Sequence, residues 1–187
     1  LAYWLYIDGV DTFVRMAVDY GMALGFPPGA LISALLLVQF VAFPAALGYG
    51  AIAARIGAKR AVLAAIAAYG GITLLAYFMK SERDFYALAV LVGLFQGGIQ
   101  ALSRSLFTEI IPANRSGEFF GFYNMLGKFA AVLGPALMGI VTVLTGDPRS
   151  GILSILLLFI AGGLLLARVD VVEGRRMAKA LSSSSEP

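Results

Sequence analysis

Asp8, Asp11, Arg15 and Asp19 interrupt a stretch, residues 1–26, that otherwise reads as a membrane-spanning helix. This feature restricts the fold more than any other. An ionised Asp or Arg at the centre of a lipid-facing helix costs about 2.5–3.5 kcal/mol. At about 100° per residue the four positions fall near 0°, 300°, 340° and 20°, inside an arc of roughly 80°. A charged stripe on an otherwise apolar helix must face a bundle interior or a wet cavity, which makes it a candidate functional site.

The rest of the chain agrees with a membrane setting. Hydrophobic residues make up 60% of its 187 residues and charged residues 13%, against about 45–50% and 25% in a soluble domain. The apolar runs are long and do not alternate, so helices are expected and a β-barrel is not. There is no Cys and no His, which removes disulfides, thiolate nucleophiles and the usual haem and zinc ligands. No cofactor or metal site is expected, and a proton relay would need carboxylates, Lys or Tyr. A net charge of +3 gives no reason to propose nucleic acid. The chain opens at Leu1 inside an apolar run, without an initiator Met or a basic segment ahead of a cleavage site. A piece of a longer polypeptide is therefore expected, and a signal peptide is not.

Six spans are expected, near residues 2–25, 30–54, 60–79, 85–109, 117–145 and 151–168. They form one bundle over residues 1–168, with a disordered polar tail over 169–187. Pro27-Pro28-Gly29 and Pro148 are among the breaks, and Gly134-Pro135 should bend the fifth span. Of the 14 Lys and Arg residues, eight fall in the even loops and the tail, three in the odd loops and three within spans. The positive-inside rule then puts both ends in the cytoplasm, with a bacterial inner membrane as the expected location.

Polarity is uneven among the spans. The first holds the charged stripe and the second Gln39. The fourth holds Gln96, Gln100 and Arg104 at i, i+4 and i+8, and the fifth holds Asn124 and Lys128 one turn apart. The third and sixth carry no ionisable or amide side chain in their interiors. Two units of wet, wet, dry suggest paired three-helix repeats, each with an outer helix toward lipid. Opposite span directions bring Asp8, Asp11, Gln100, Arg104, Asn124 and Lys128 to one depth in the inner half, with Asp19 nearer the outside. Gly93-x-x-x-Gly97 and Gly117-x-x-x-Gly121 allow close helix contact, a common feature of membrane packing.

Between the second and third spans, Gly50, Arg55, Gly57, Lys59 and Arg60 resemble the loop signature of the major facilitator superfamily, with Ala54 where that family often has Asp. Two further stretches narrow the likeness. One is Asp8-Gly9-Val10-Asp11-Thr12. The other runs from Gly97 through Gln100, Ser103 and Arg104 to Glu118, Gly121, Tyr123, Asn124, Gly127, Lys128 and Gly134-Pro135. Together they are similar to the C-terminal half of the unknown major facilitator family, related to vacuolar amino-acid effluxers. The resemblance covers all six spans. It implies a non-enzymatic, all-α membrane protein, half of a major facilitator fold. Its partners would be the lipid bilayer, an N-terminal six-helix half of the same polypeptide, and a small polar solute. Efflux of amino acids is the activity it implies, with H+ as a candidate coupling ion.

The site residues admit several readings. Asp8, Asp11, Arg15 and Asp19 could form a self-neutralising network through the i, i+4 pairs Asp11–Arg15 and Arg15–Asp19, carry a proton, or touch solute. Gln39, Gln96, Gln100 and Asn124 suit either a polar solute or hydrogen bonding between helices. Arg104 and Lys128 suit a cavity, with snorkelling the alternative for Arg104. Phe119, Phe120, Phe122 and Tyr123 read as packing and interface anchoring. A six-span protein working as a homodimer is the competing architecture. An intramembrane aspartyl enzyme is disfavoured, because Asp8 and Asp11 lie on one helix. No Gly-x4-Gly-Lys-[Ser/Thr] loop is present for ATP.

Overall fold

Long apolar runs with no water to satisfy the backbone leave helix as the available state, and Pro, Gly and capping residues decide where each helix stops. The computed structural model describes residues 1–129 and 131–183. Among them there is no strand. The helices are α1 (Ala2–Ala23), α2 (Pro28–Ile56), α3 (Ala58–Phe78), α4 (Glu82–Glu109), α5 (Ser116–Phe129), α6 (Leu133–Thr145), α7 (Pro148–Ser154), α8 (Leu156–Arg168) and α9 (Val171–Ser183), with one 3-10 turn at Ala113–Arg115. Gly57 and Gly146, at φ 85° and 67°, make the turns before α3 and α7. Ser81 and Asp84 form a capping box at the start of α4.

Among the described residues, four segments are long and apolar enough to cross a membrane: α2, α3, α4 and the run Pro148–Arg168. That last run begins three residues before the expected 151, because Asp147 caps it and Pro148 fills its first turn. The expected fifth span is two helices rather than one bent helix. Pro135 cannot donate to the previous turn and crowds it, so α6 starts afresh at Leu133. At about 1.5 Å per residue, neither α5 nor α6 alone reaches across a hydrocarbon core of about 30 Å.

Glycines set the closest contacts. A Cβ on Gly93 would lie 2.8 Å from the Val38 carbonyl oxygen, and one on Gly97 2.9 Å from that of Ala42, so α2 and α4 touch backbone to backbone. Gly117 and Gly121, with the same spacing, face open space. A Cβ on Gly162 of α8 would stand 2.8 Å from the Tyr6 nitrogen of α1. The helices are interleaved: α4 packs on α2 and α3, α1 packs on α8 and α6, and α3 packs on α8.

Two expectations need correction. The dry third span is not simply an outer helix. One face of α3, including Val62, Ala65, Tyr69, Ile72 and Thr73, is buried, and Leu74, Leu75 and Phe78 cover the other. Greater exposure belongs to α2, through Ile32, Leu36, Phe40, Phe43 and Leu47. Apolar side chains suit lipid and protein interior equally, so polarity does not separate the two. The tail is also partly ordered. Asp170 accepts from the N–H groups of Val172 and Glu173 at 2.9 and 3.1 Å, starting α9. Arg175 then pairs with Glu109 at the end of α4, and Ala178 is buried. Residues 184–187 of the expected tail lie outside the described residues.

Candidate solute cavity

The charged stripe of α1 does not act as one unit, because the helix meets different neighbours along its length. Asp8 is fully buried. Its Oδ2 accepts the Gly134 N–H at 2.8 Å and its Oδ1 accepts the Thr12 hydroxyl at 3.3 Å. Asp11 is half-buried and lines a cavity. Arg15 and Asp19 are exposed. Neither expected pair, Asp11–Arg15 or Arg15–Asp19, is among the ion pairs of the described residues.

The cavity measures about 360 Å³ and is lined by Tyr3, Ile7, Asp11, Gln100, Arg104, Asn124, Gly127 and Lys128. Five of these residues, Asp11, Gln100, Arg104, Asn124 and Lys128, are the polar groups expected to converge. They arrive from three helices: α1, α4 and α5. Two cations and one carboxylate, none held in an ion pair among the described residues, leave charge free for a solute. A carboxylate and an ammonium group could both find partners here, with amides between them.

Aromatic packing holds the three helices at this point. Tyr3 stacks on Tyr123 with ring centroids 4.0 Å apart, and Phe107 lies 4.7 Å from Tyr123 on its other flank. Each such pair contributes about 0.5–1.5 kcal/mol beyond burial. Ser103 donates to the Ile99 carbonyl at 2.6 Å, so the Tyr6 hydroxyl is the donor in its 2.7 Å bond to Ser103. That bond ties α1 to α4. Tyr3 and Ile7 escaped sequence reasoning, although they stand at i−8 and i−4 from Asp11, on the same face. Tyr123, read as packing and interface anchoring, braces the cavity.

The other expected site residues lie elsewhere. Gln39 is exposed on α2. Gln96 is half-buried one turn from Gln100, with its Oε1 buried and without a hydrogen-bond partner. A second cavity, about 40 Å³, is lined by Phe13, Tyr20, Val38, Phe85 and Ile152 among others and offers no charged group.

The loop motif also divides. Gly57 makes the turn, Gly50 faces open space, and Arg55 and Arg60 are exposed. Lys59 instead reaches the end of α8, where its Nζ donates to the carbonyls of Ala167 and Val169 at 2.9 and 2.7 Å. A matching contact joins the opposite ends of the same helix pair. Arg149, at the start of α7, donates through Nη1 to the Tyr77 carbonyl near the end of α3 at 2.8 Å. Each cation closes a helix C-terminus, where it also meets the favourable end of the dipole.

Residues 1–179 match the family described as "Vacuole effluxer Atg22 like". The chain is 43% identical over 169 residues to an uncharacterised MFS-type transporter, YxiO, of Bacillus subtilis, covering 90% of this chain and 40% of that protein. It is 35% identical over 107 residues to autophagy-related protein 22 of Saccharomyces cerevisiae, covering 57% of this chain and 20% of the yeast protein. Across its full length it is 26% identical to autophagy-related protein 22-1 of Neosartorya fischeri, covering 34% of that protein. The chain thus spans well under half the length of these relatives.

Proposed function

We propose that this chain, which belongs to the Atg22-like vacuole effluxer family of MFS-type transporters, forms one six-span half of a secondary transporter. That half holds one wall of the solute path. The cavity carries the reading: Asp11, Gln100, Arg104, Asn124 and Lys128 converge on one space from α1, α4 and α5. The solute is small and polar, with amino acids the class suggested by the family. Transport proceeds by alternating access, as this half rocks against an N-terminal half of the same polypeptide. The 40% coverage of the Bacillus relative supports a half rather than a self-sufficient six-span dimer. Both ends lie in the cytoplasm, by the distribution of Lys and Arg, and the Bacillus relative favours a bacterial inner membrane.

The interleaving supports two inverted three-helix repeats. Exchanging α1 with α4, α2 with α6, and α3 with the α7–α8 run turns the α4 contacts on α2 and α3 into those of α1 on α6 and α8. The same exchange relates Lys59 on α8 to Arg149 on α3, each following a glycine of positive φ.

Proton coupling would use Asp11, the one carboxylate among the described residues that line the cavity. The test is flux of radiolabelled amino acids in proteoliposomes of the full-length protein, with and without a pH gradient. Asp11→Asn should abolish the response to the gradient. Flux that ignores the gradient and survives Asp11→Asn would remove the proton from the mechanism. No flux of any amino acid would remove the solute class.

A further inference from the structure

Asp8 shares a helix face with Asp11, but it does not line the cavity. Its carboxylate is fully buried and is spent on two donors, the Gly134 N–H and the Thr12 hydroxyl. The helix it meets has no cap of its own. Val132 precedes α6 and offers no side-chain acceptor, and Pro135 has no N–H. The free N–H groups of a helix start need an acceptor, and a carboxylate there also meets the positive end of the dipole. The approach leaves no room for a side chain, since a Cβ on Gly134 would overlap the Thr12 Oγ1.

We propose that Asp8 is a positioning residue: it caps α6 from the neighbouring helix and so sets where α5 presents Asn124 and Lys128 to Asp11. α5 ends at Phe129 and α6 starts at Leu133, so the start of α6 limits where α5 can stand. α5 is also braced through its own Tyr123, whose ring packs on Tyr3 and Phe107. The assignment takes its purpose from the cavity reading above, while its geometry stands without it.

The test uses the full-length transporter in lipid, without solute. Spin labels replace Met22 on α1 together with Phe122 on α5, or Met22 together with Val143 on α6; all three positions are exposed. Pulsed electron resonance then reads each distance. With Asp8 intact, both pairs should give one narrow distribution. Asp8→Asn should keep both, because the amide oxygen still accepts from Gly134. Asp8→Ala should broaden or shift both together. Gly134→Ala should do the same with the carboxylate untouched, and adding Thr12→Gly should restore the narrow distributions. Unchanged distances in Asp8→Ala would overturn the proposal, as would a Gly134→Ala effect that Thr12→Gly does not relieve. If Asp8→Ala fails to fold, the Gly134 and Thr12 variants decide between the outcomes on their own. Failure to move any solute would count against the transport reading and leave these distances as they are.

Discussion

Lys59→Met removes one ammonium group and keeps most of the side chain's apolar length. That ammonium donates to two carbonyls at the end of α8, those of Ala167 and Val169. A hydrogen bond from a charged donor contributes about 1.5–3 kcal/mol, and a cation at a helix C-terminus about 0.3–1 kcal/mol. Lys59 is only half-buried, so water takes back part of both, and ordering the side chain costs up to about 2 kcal/mol. The loss should therefore be about 1–2 kcal/mol. For a domain of 150–250 residues this lowers Tm by roughly 2–8 °C. Arg55→Met and Arg60→Met, at exposed positions of the same loop, should stay within about 0.5 kcal/mol. Thermal unfolding of the full-length protein in detergent, followed by intrinsic fluorescence, compares the three. Equal losses at all three positions, or no loss at Lys59, would refute the capping role and return the motif to a generic basic turn.

Other substitutions probe separate contacts. Gly97→Leu should destabilise by about 1–3 kcal/mol or more, since even a Cβ there meets the backbone of α2. Gly121→Leu, with the same motif spacing but open space around it, should be tolerated in the same unfolding assay. Asp147 accepts from the N–H groups of Arg149 and Ser150 and from the Ser150 hydroxyl. These bonds, the Arg149 N–H first, hold its carboxyl below the ordinary 3.8. Its stabilising effect is therefore complete above pH 3.8 and fades as pH falls through the lowered value. Asp147→Ala should cost stability at pH 7, and the gap to wild type should close in acid; a gap independent of pH would sink the capping account.

Five of the cavity's groups were legible in sequence because each lies on a helix with a simple rule. Gln100 and Arg104 stand one turn apart, as do Asn124 and Lys128, so each pair presents one helix face to the space that Asp11 lines. The fate of Asp8 was not legible. It depends on where Pro135 restarts a helix and on how closely Gly134 meets Thr12, both facts of three-dimensional approach. Arg15 and Asp19 show the limit of an angular argument, since a common face need not have a common neighbour along its length. The start of α9 could have been found: Asp170 followed by Glu173 has the spacing of a capping box, and overall polarity concealed it.

The packing of α1 on α8 bears on how the protein is made. α1 is made well before its partner, which begins at Leu156. At about 5–20 residues per second, translation leaves α1 without that surface for on the order of ten seconds. For most of this interval Asp8 lacks the Gly134 N–H, and throughout it Gly9 has no Phe159 ring to lie against. Synthesis of α1 and its burial against α8 are therefore separate events. Asp8, buried in the finished fold, must therefore wait for a partner made 126 residues after it.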